Sequence, residues 1–328
     1  MNSAKRAKTP QRPQKKAAAS ATVKKKTKKK TAQKKSSQKS PPRKTTVSAN
    51  VRSSTKKQPT KKRSAKKVGT WKAKSRRATT HVQFLGTGNA FNTDGRCSQC
   101  LLAQPADTSP FLIDVGPTVT LAANRYKAPT KDIDRVFITH LHGDHIAGWP
   151  FLVLDFLFIQ QRTKPLDVYG PSGTRAHLET LAGICYGESF RKHGTFRVRY
   201  HELEIEERSG IDAGKGLTID TVPMEHHPTS IGYCFHMGEH SLGVTGDTRW
   251  CTSLERLASR CSTLIVECTT LKKQADAHVS LEELREGRDR LEAKKVVLVH
   301  LSDTISAELK KRPVKNVVAA RDGWAMRL

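Results

Sequence analysis

From residue 82 onward, short apolar runs alternate with glycine, proline and charged clusters at intervals suited to strands and short helices. Val82-Gln83-Phe84-Leu85-Gly86 predicts an opening strand that runs into a glycine loop, Gly86-Thr87-Gly88-Asn89. Ser98 to Ala103 and Phe111-Leu112-Ile113-Asp114-Val115 predict two more strands. Pro117 suits the first turn of a helix reaching about Tyr126. Arg135-Val136-Phe137-Ile138-Thr139 is a compact strand, followed by a helix over Leu152 to Gln161, a strand at Leu166 to Tyr169 and a helix from Gly173 to Cys185. The second half continues with strands near 196–204, 217–223, 231–236, 242–245 and 263–266. An amphipathic helix is predicted over Leu281 to Lys294, then a buried strand at Val296 to Val299, with Val317 to Leu328 closing the chain. Two blocks of similar size suggest sheets packed face to face with helices outside, a pattern that a doubly wound α/β sheet would also satisfy.

Charge divides the chain sharply. The sequence holds 59 Lys and Arg against 30 Asp and Glu, and residues 1–80 contain 29 of the basic groups and none of the acidic ones. The other 248 residues therefore carry 59 − 29 = 30 basic and 30 acidic groups, a formal balance of zero. The segment 1–79, with Lys24-Lys25-Lys26-Thr27-Lys28-Lys29-Lys30 at its densest, has almost no apolar side chain larger than alanine. It is expected to be a disordered tail, since it cannot bury enough surface to offset the entropy of ordering. Such a block fits a non-specific nucleic-acid arm that neutralises phosphates, or else a solubilising extension. It lacks the apolar segment of a secretory signal, and no window is long and apolar enough to predict a membrane span. Seven cysteines, an odd number without a dense framework, fit a reducing intracellular setting: cytoplasmic, or nuclear or nucleoid through the basic tail.

The chemistry concentrates in Thr139-His140-Leu141-His142-Gly143-Asp144-His145. Leaving a strand, His140 and His142 stand two apart and can point the same way, and Gly143 is expected to allow a sharp turn that returns Asp144 and His145 to the same cavity. Three imidazoles and a carboxylate within six residues suit zinc or another borderline divalent ion better than calcium or magnesium. Apolar neighbours on both sides (Val136, Phe137, Ile138; Ile146, Ala147) argue against an exposed histidine-rich loop.

The HxHxDH pattern after an apolar strand resembles the signature of the metallo-β-lactamase superfamily. The accompanying segments resemble its ribonuclease Z branch, which processes tRNA 3′ ends, and the compact phosphodiesterases allied to it. The matching segments are Phe84-Leu85-Gly86-Thr87-Gly88, Leu112-Ile113-Asp114-Val115-Gly116, Pro223-Met224-Glu225-His226 with Gly232-Tyr233, Thr245-Gly246-Asp247-Thr248 and Val299-His300-Leu301-Ser302. The resemblance covers about residues 82–328 and implies an αββα sandwich. A catalytic domain over 80–328 would then be a zinc-dependent hydrolase, most simply a phosphodiesterase or endonuclease using a metal-bridging hydroxide. It implies that His140, His142 and His226 hold one Zn2+ and that Asp144, His145 and His300 hold a second. Asp247 would bridge them and Asp114 would support a ligand. Asp144 and His278 are the implied catalytic residues beyond the bridging water, His278 as proton donor to the leaving oxygen. On its residues alone, His278 in Ala277-His278-Val279-Ser280 reads equally as a neighbour of a helix cap at Ser280. Glu267 is a weaker polar neighbour, and the lone Cys97-Ser98-Gln99-Cys100 pair reads as two ordinary thiols.

The resemblance stops at two places. Ribonuclease Z enzymes insert a tRNA-grasping arm, yet only 20 residues separate His226 from Asp247 here. The loop after Gly88 reads Ala90-Phe91-Asn92-Thr93-Asp94-Gly95-Arg96 and lacks the Pro-Lys-Arg-Asn type sequence of that branch. Substrate therefore stays open between RNA, including a tRNA precursor, and a cyclic nucleotide or cyclic phosphate, with lactones and thioesters more remote. A non-catalytic nucleic-acid-binding protein on an inert scaffold is the other alternative. The resemblance is compatible with a homodimer.

Overall fold

The computed structural model describes residues 79–187, 194–274 and 278–328. The basic segment over 1–78 lies outside the described residues, so the reading of a disordered tail concerns sequence alone.

Fourteen strands among the described residues form two mixed sheets. The first half supplies β1 (His81–Gly86), β2 (Cys100–Gln104), β3 (Phe111–Ile113), β4 (Arg135–Phe137), β5 (Leu166–Pro171) and β6 (Val198–Leu203). The second supplies β7 (Arg208–Asp212), β8 (Thr218–Pro223), β9 (Ile231–Met237), β10 (His240–Val244), β11 (Thr263–Glu267), β12 (Lys295–Val299), β13 (Val317–Ala319) and β14 (Ala325–Arg327). Sheet one runs β14-β1-β2-β3-β4-β5-β6 and sheet two runs β13-β12-β11-β10-β9-β8-β7. The chain's last strand thus returns to the first sheet, β14 pairing with β1 through His81 and Arg327, Val82 and Met326, and Gln83 and Ala325.

Strand periodicity explains the layering. Along β9, Ile231, Tyr233, Phe235 and Met237 enter the layer between the sheets, while Cys234 faces a separate outer cluster. β12 divides likewise, Val297 and Val299 inward and Val296 and Leu298 outward. The inter-sheet layer is aromatic at its centre. Phe137 stacks on Tyr169 at 4.9 Å and meets Phe111, Tyr233 and Phe235 edge-on at 5.2, 5.7 and 4.9 Å. Sheet one is covered by α1 (Val119–Arg125), α2 (Gly143–Ile146), α3 (Trp149–Leu154) and α4 (Thr174–Tyr186). Sheet two is covered by α5 (Thr252–Ser259), α6 (Leu281–Gly287) and α7 (Asp303–Lys311). The architecture is the αββα sandwich of the metallo-β-lactamase fold.

Several elements differ from expectation. The helix expected over 281–294 ends at Gly287, continuing only as a 3-10 turn over Arg288–Arg290. A Cβ on Gly287 would meet the Trp250 ring at 2.2 Å, so the glycine that weakens the helix is fixed by packing. The short helices α5 and α7 and the strand β7 were not anticipated. Gly143 is not a turn glycine: it opens α2 with no positive φ and with nothing within 4 Å of its Cβ position. One turn of helix, rather than a glycine bend, brings Asp144 and His145 round.

Candidate metal centre

The site lies where the strands of both sheets end. β4 leads to His140, α2 carries Asp144 and His145, β8 leads to His226, β10 to Asp247, β11 ends in Glu267 and β12 leads to His300. Glycines permit the close approach. A Cβ on Gly116 would lie 2.3 Å from the Asp144 carbonyl oxygen. Gly246 (φ +62) carries the chain into Asp247 with its Cβ position 2.6 Å from Thr139 Cβ.

Two groups of donor atoms result. His140, His142 and His226 present nitrogens within 4.8 Å of one another, and Asp144, His145, Asp247 and His300 form a second set within the same limit. The Asp247 carboxylate joins them. Its Oδ1 lies 3.3 Å from His145 Nε2, and its Oδ2 lies 3.9 Å from His140 Nε2, 3.9 Å from His226 Nε2, 3.5 Å from His300 Nε2 and 4.0 Å from His278 Nδ1. Asp144 Oδ2 is 3.4 Å from His145 Nε2 and 3.2 Å from His300 Nε2.

Behind these groups, a layer of hydrogen bonds orients the rings. His145 Nδ1 is 2.8 Å from Asp114 Oδ2, and the same carboxylate accepts from the Thr139 backbone N–H at 2.8 Å and from its hydroxyl. Thr139 Oγ1 sits 3.1 Å from His140 Nδ1, and Thr269 Oγ1 sits 2.8 Å from His300 Nδ1. With Nδ1 engaged, each of these imidazoles directs Nε2 at the common cavity. The two threonines were not foreseen, because a hydroxyl beside a histidine has no pattern of its own. Asp114 and His300 both hold left-handed backbone, φ +58 and +57, a strained conformation that non-glycine residues keep at sites the surrounding structure over-determines.

The donor set fits a cation. His140 Nε2 and His145 Nε2 are buried and have no hydrogen-bond partner in the protein, a costly arrangement for an imidazole nitrogen unless something else occupies it. His142 Nδ1 and His226 Nε2 face each other at 3.1 Å. Electrostatics agree. Burial, together with the neighbouring imidazoles, holds His140 well below the ordinary histidine range, and His142 is lowered for the same reasons, so both are neutral donors. Burial also disfavours charge on His145 and His300, but the Asp247 and Asp114 carboxylates around the first, and Asp247 and Asp144 around the second, raise both. Burial would raise Asp247, yet the surrounding His300 and His145 hold its carboxyl well below the usual range. Carboxylates that draw protons onto neighbouring rings would attract divalent cations in their place.

His278 stands at the edge. Its Nδ1 lies 2.6 Å from the buried Glu267 Oε1, and its ring is 4.8 Å from that of His226. Burial lowers its proton affinity, but the Glu267 hydrogen bond and the Glu267 and Asp247 charges outweigh this and push it up to about 9. Its position also meets the alternative reading. Ser280 caps α6 in a full capping box, its hydroxyl accepting from the Glu283 N–H at 3.1 Å while Glu283 Oε2 accepts from the Ser280 N–H. His227 lies outside the donor sets, bonded to Thr229, with its ring 4.9 Å from that of His142. Cys97 and Cys100 are buried free thiols.

A family profile described as Anti-Pycsar protein Apyc1 matches residues 80–322. Ribonuclease Z of Bacillus licheniformis is 29% identical over 275 residues, covering 69% of this chain and 89% of that protein. Ribonuclease Z of Methanococcus maripaludis is 30% identical over 154 residues, 47% of this chain, and the match spans about half (48%) of that relative's length. Among solved structures, the short form of human tRNase Z superposes with a TM-score of 0.62 at 21% identity, covering 75% of this chain and 98% of that one. The metallo-β-lactamase fold protein YhfI of Bacillus subtilis gives 0.60 at 22%, covering 76% and 100%. The chain is a ribonuclease Z-like hydrolase of the metallo-β-lactamase superfamily and belongs to the family described as Anti-Pycsar protein Apyc1.

Proposed function

We propose that this chain is a two-metal phosphodiesterase with a small cyclic phosphodiester, such as a cyclic nucleotide, as its substrate. His140, His142 and His226 would hold one cation, Asp144, His145 and His300 a second, and Asp247 would be shared between them. The observation that carries the reading is the Asp247 carboxylate, within 4 Å of nitrogens from both donor sets, beside two buried imidazole nitrogens that the protein leaves unbonded. A histidine and aspartate donor set favours zinc. When bound, two such ions supply Lewis acidity that lowers the pKa of water and neutralises charge on the phosphoryl oxygens.

The protein's own groups do the rest. Asp114, Thr139 and Thr269 hold the imidazoles in one tautomer and direction. Burial would raise Asp144, but hydrogen bonds from the His145 and His300 rings hold its carboxyl well below the usual range, so it is an anionic donor. His278, kept protonated by Glu267, would give its proton to the departing oxygen.

Two features support a small substrate. The 20 residues between His226 and Asp247 are taken up largely by β9 and β10 and the turn between them, leaving no inserted arm there. The folded part has zero formal charge, a weak surface for gripping a long polyanion. A second reading, RNA cleavage, is favoured by the ribonuclease Z relatives and by the 29 cationic residues of the tail.

Metal analysis of the full-length protein should give about two transition-metal ions per chain, and Asp247→Ala should cut hydrolysis of bis(p-nitrophenyl) phosphate at least about a hundredfold. Metal-free protein with full turnover would refute the reading. Comparison of cyclic nucleotides with tRNA precursors separates the two substrate classes.

A further inference from the structure

We infer that Phe91 is an aromatic platform on which the nucleobase of a nucleotide substrate stacks. The inference rests on the phosphodiesterase reading above and adds the part of the ligand that lies beyond the scissile phosphate.

Phe91 is 86% exposed, the highest value among the large apolar side chains of the described residues. Its exposure does not reflect a loose loop. Asn89, nearly buried, accepts on one side-chain oxygen from the Phe91 N–H at 3.2 Å, the Thr93 N–H at 3.3 Å and the Thr93 hydroxyl at 2.9 Å. The Asn92 amide donates to the Arg96 carbonyl and to Ser98 Oγ, both at 2.9 Å. Asp94 accepts from the Asp303 N–H at 2.7 Å, which ties the loop to the start of α7. Arg96 donates to Thr87, Asp303, Ser306 and the Ala320 carbonyl, so its guanidinium secures the loop rather than facing a ligand. Asn92 and Asp94 both adopt left-handed backbone, φ +50 and +61. A loop so fully bonded presents one unsupported ring to water.

The loop's base adjoins the chain next to the proposed metal ligands. Gly88 bridges both Ser98 and Leu301, and the Leu301 N–H donates to the Thr87 carbonyl at 2.8 Å, directly after His300. Ser98 packs against Gly116, whose Cβ position lies 2.3 Å from the Asp144 carbonyl. From Gly88 to Phe91 the chain can span at most about 11 Å. A nucleotide whose phosphate sits among His145, His300 and Asp144 would then lay its base against this ring. A preorganised ring pays little entropy on binding, and every nucleobase offers a face to it.

The test uses the full-length, metal-loaded protein with Phe91→Ala, Phe91→Leu and Phe91→Trp. Substrates are adenosine and cytidine 3′,5′-cyclic monophosphates and 1-O-methylribose 3′,5′-cyclic phosphate, which has no base. The readout is the kcat/KM ratio of nucleotide to base-free diester. Loss of stacking should lower this ratio about five- to a hundredfold in the alanine variant, chiefly through KM. Leucine should resemble alanine, and tryptophan should restore the ratio. An unchanged ratio, or leucine rescuing as well as tryptophan, overturns the inference. If the unaltered protein hydrolyses none of the three, the phosphodiesterase reading fails separately, and calorimetric affinity for adenosine and cytidine 5′-monophosphates decides: equal affinity of Phe91→Ala and the unaltered protein, or no binding by either, overturns the platform, while weakening confined to the alanine and leucine variants upholds it.

Discussion

At the scale of single residues, the burial of charge separates two roles for the acidic groups. Asp247 is only 3% exposed and faces imidazoles, so a cation can replace the protons it would otherwise draw onto them. Glu267, 1% exposed, has its carboxyl raised by burial, with His278 partly offsetting the effect; its Oε1 bonds His278 directly, while its Oε2 accepts from Thr269, the hydroxyl beside His300. If His278 protonates the leaving oxygen, its importance must scale with how poor that leaving group is. His278→Ala should slow hydrolysis of a cyclic nucleotide, which expels an alkoxide, by roughly a hundredfold or more. The same variant should lose less than about tenfold on bis(p-nitrophenyl) phosphate, whose leaving group needs little help. Equal losses on both would assign His278 a purely structural role as the neighbour of the α6 cap. The sign with pH follows from the raised value. A group held at about 9 keeps its proton through neutrality and loses it above, so cyclic-nucleotide turnover should fall as pH rises through about 9. That limb should be missing in His278→Ala and should shift to lower pH in Glu267→Gln.

At the scale of elements, close approach of α2 to the glycine after β3 holds the second donor set in place. Gly116→Ala would put a methyl group 2.3 Å from the Asp144 carbonyl and 2.6 Å from Ser98 Cβ, both in packed surroundings. The segment carrying Asp144 and His145 must then move, and metal affinity should drop about ten- to a hundredfold, measured by competition with a chromogenic chelator. Gly143→Ala, which meets nothing within 4 Å and has no positive φ, is the matched control and should change stability by under about 1 kcal/mol. Much of this frame was legible in the sequence. The apolar runs of β1, β9 and β12 marked strands because their inward positions are aliphatic or aromatic at every second residue, and β4 was marked by the consecutive Val136, Phe137 and Ile138. The HLHGDH segment declared metal chemistry locally, whereas His226, Asp247 and His300 were reached only through resemblance, since isolated histidines and aspartates carry no spacing. β7 was invisible because Arg208–Asp212 is mostly exposed and polar, an edge strand without an apolar face. α7 did leave a signal, Ser302 as cap with Ile305 and Leu309 four apart and buried, but one masked by the lysines at its end.

At the scale of the whole molecule, the charge is carried almost wholly by one end of the sequence. Residues 1–80 hold 29 basic and no acidic groups, while the remainder balances 30 against 30. Catalysis and polyanion binding should therefore be separable by cutting the chain. Each phosphate neutralised on a single strand contributes about −0.7 to the slope of log affinity against log salt, so a tail engaging 6–10 phosphates would give a slope of roughly −4 to −7. Full-length protein should bind single-stranded RNA with such a slope, and residues 80–328 alone should bind weakly and almost independently of salt. Turnover of a small cyclic diester, governed by groups all lying beyond residue 86, should agree within about twofold between the two proteins. If the shortened protein kept the steep slope, the folded part would contain its own polyanion surface and RNA would become the better substrate. If instead it lost small-diester turnover, the tail would have to reach the metal centre, and its charge would belong to the site.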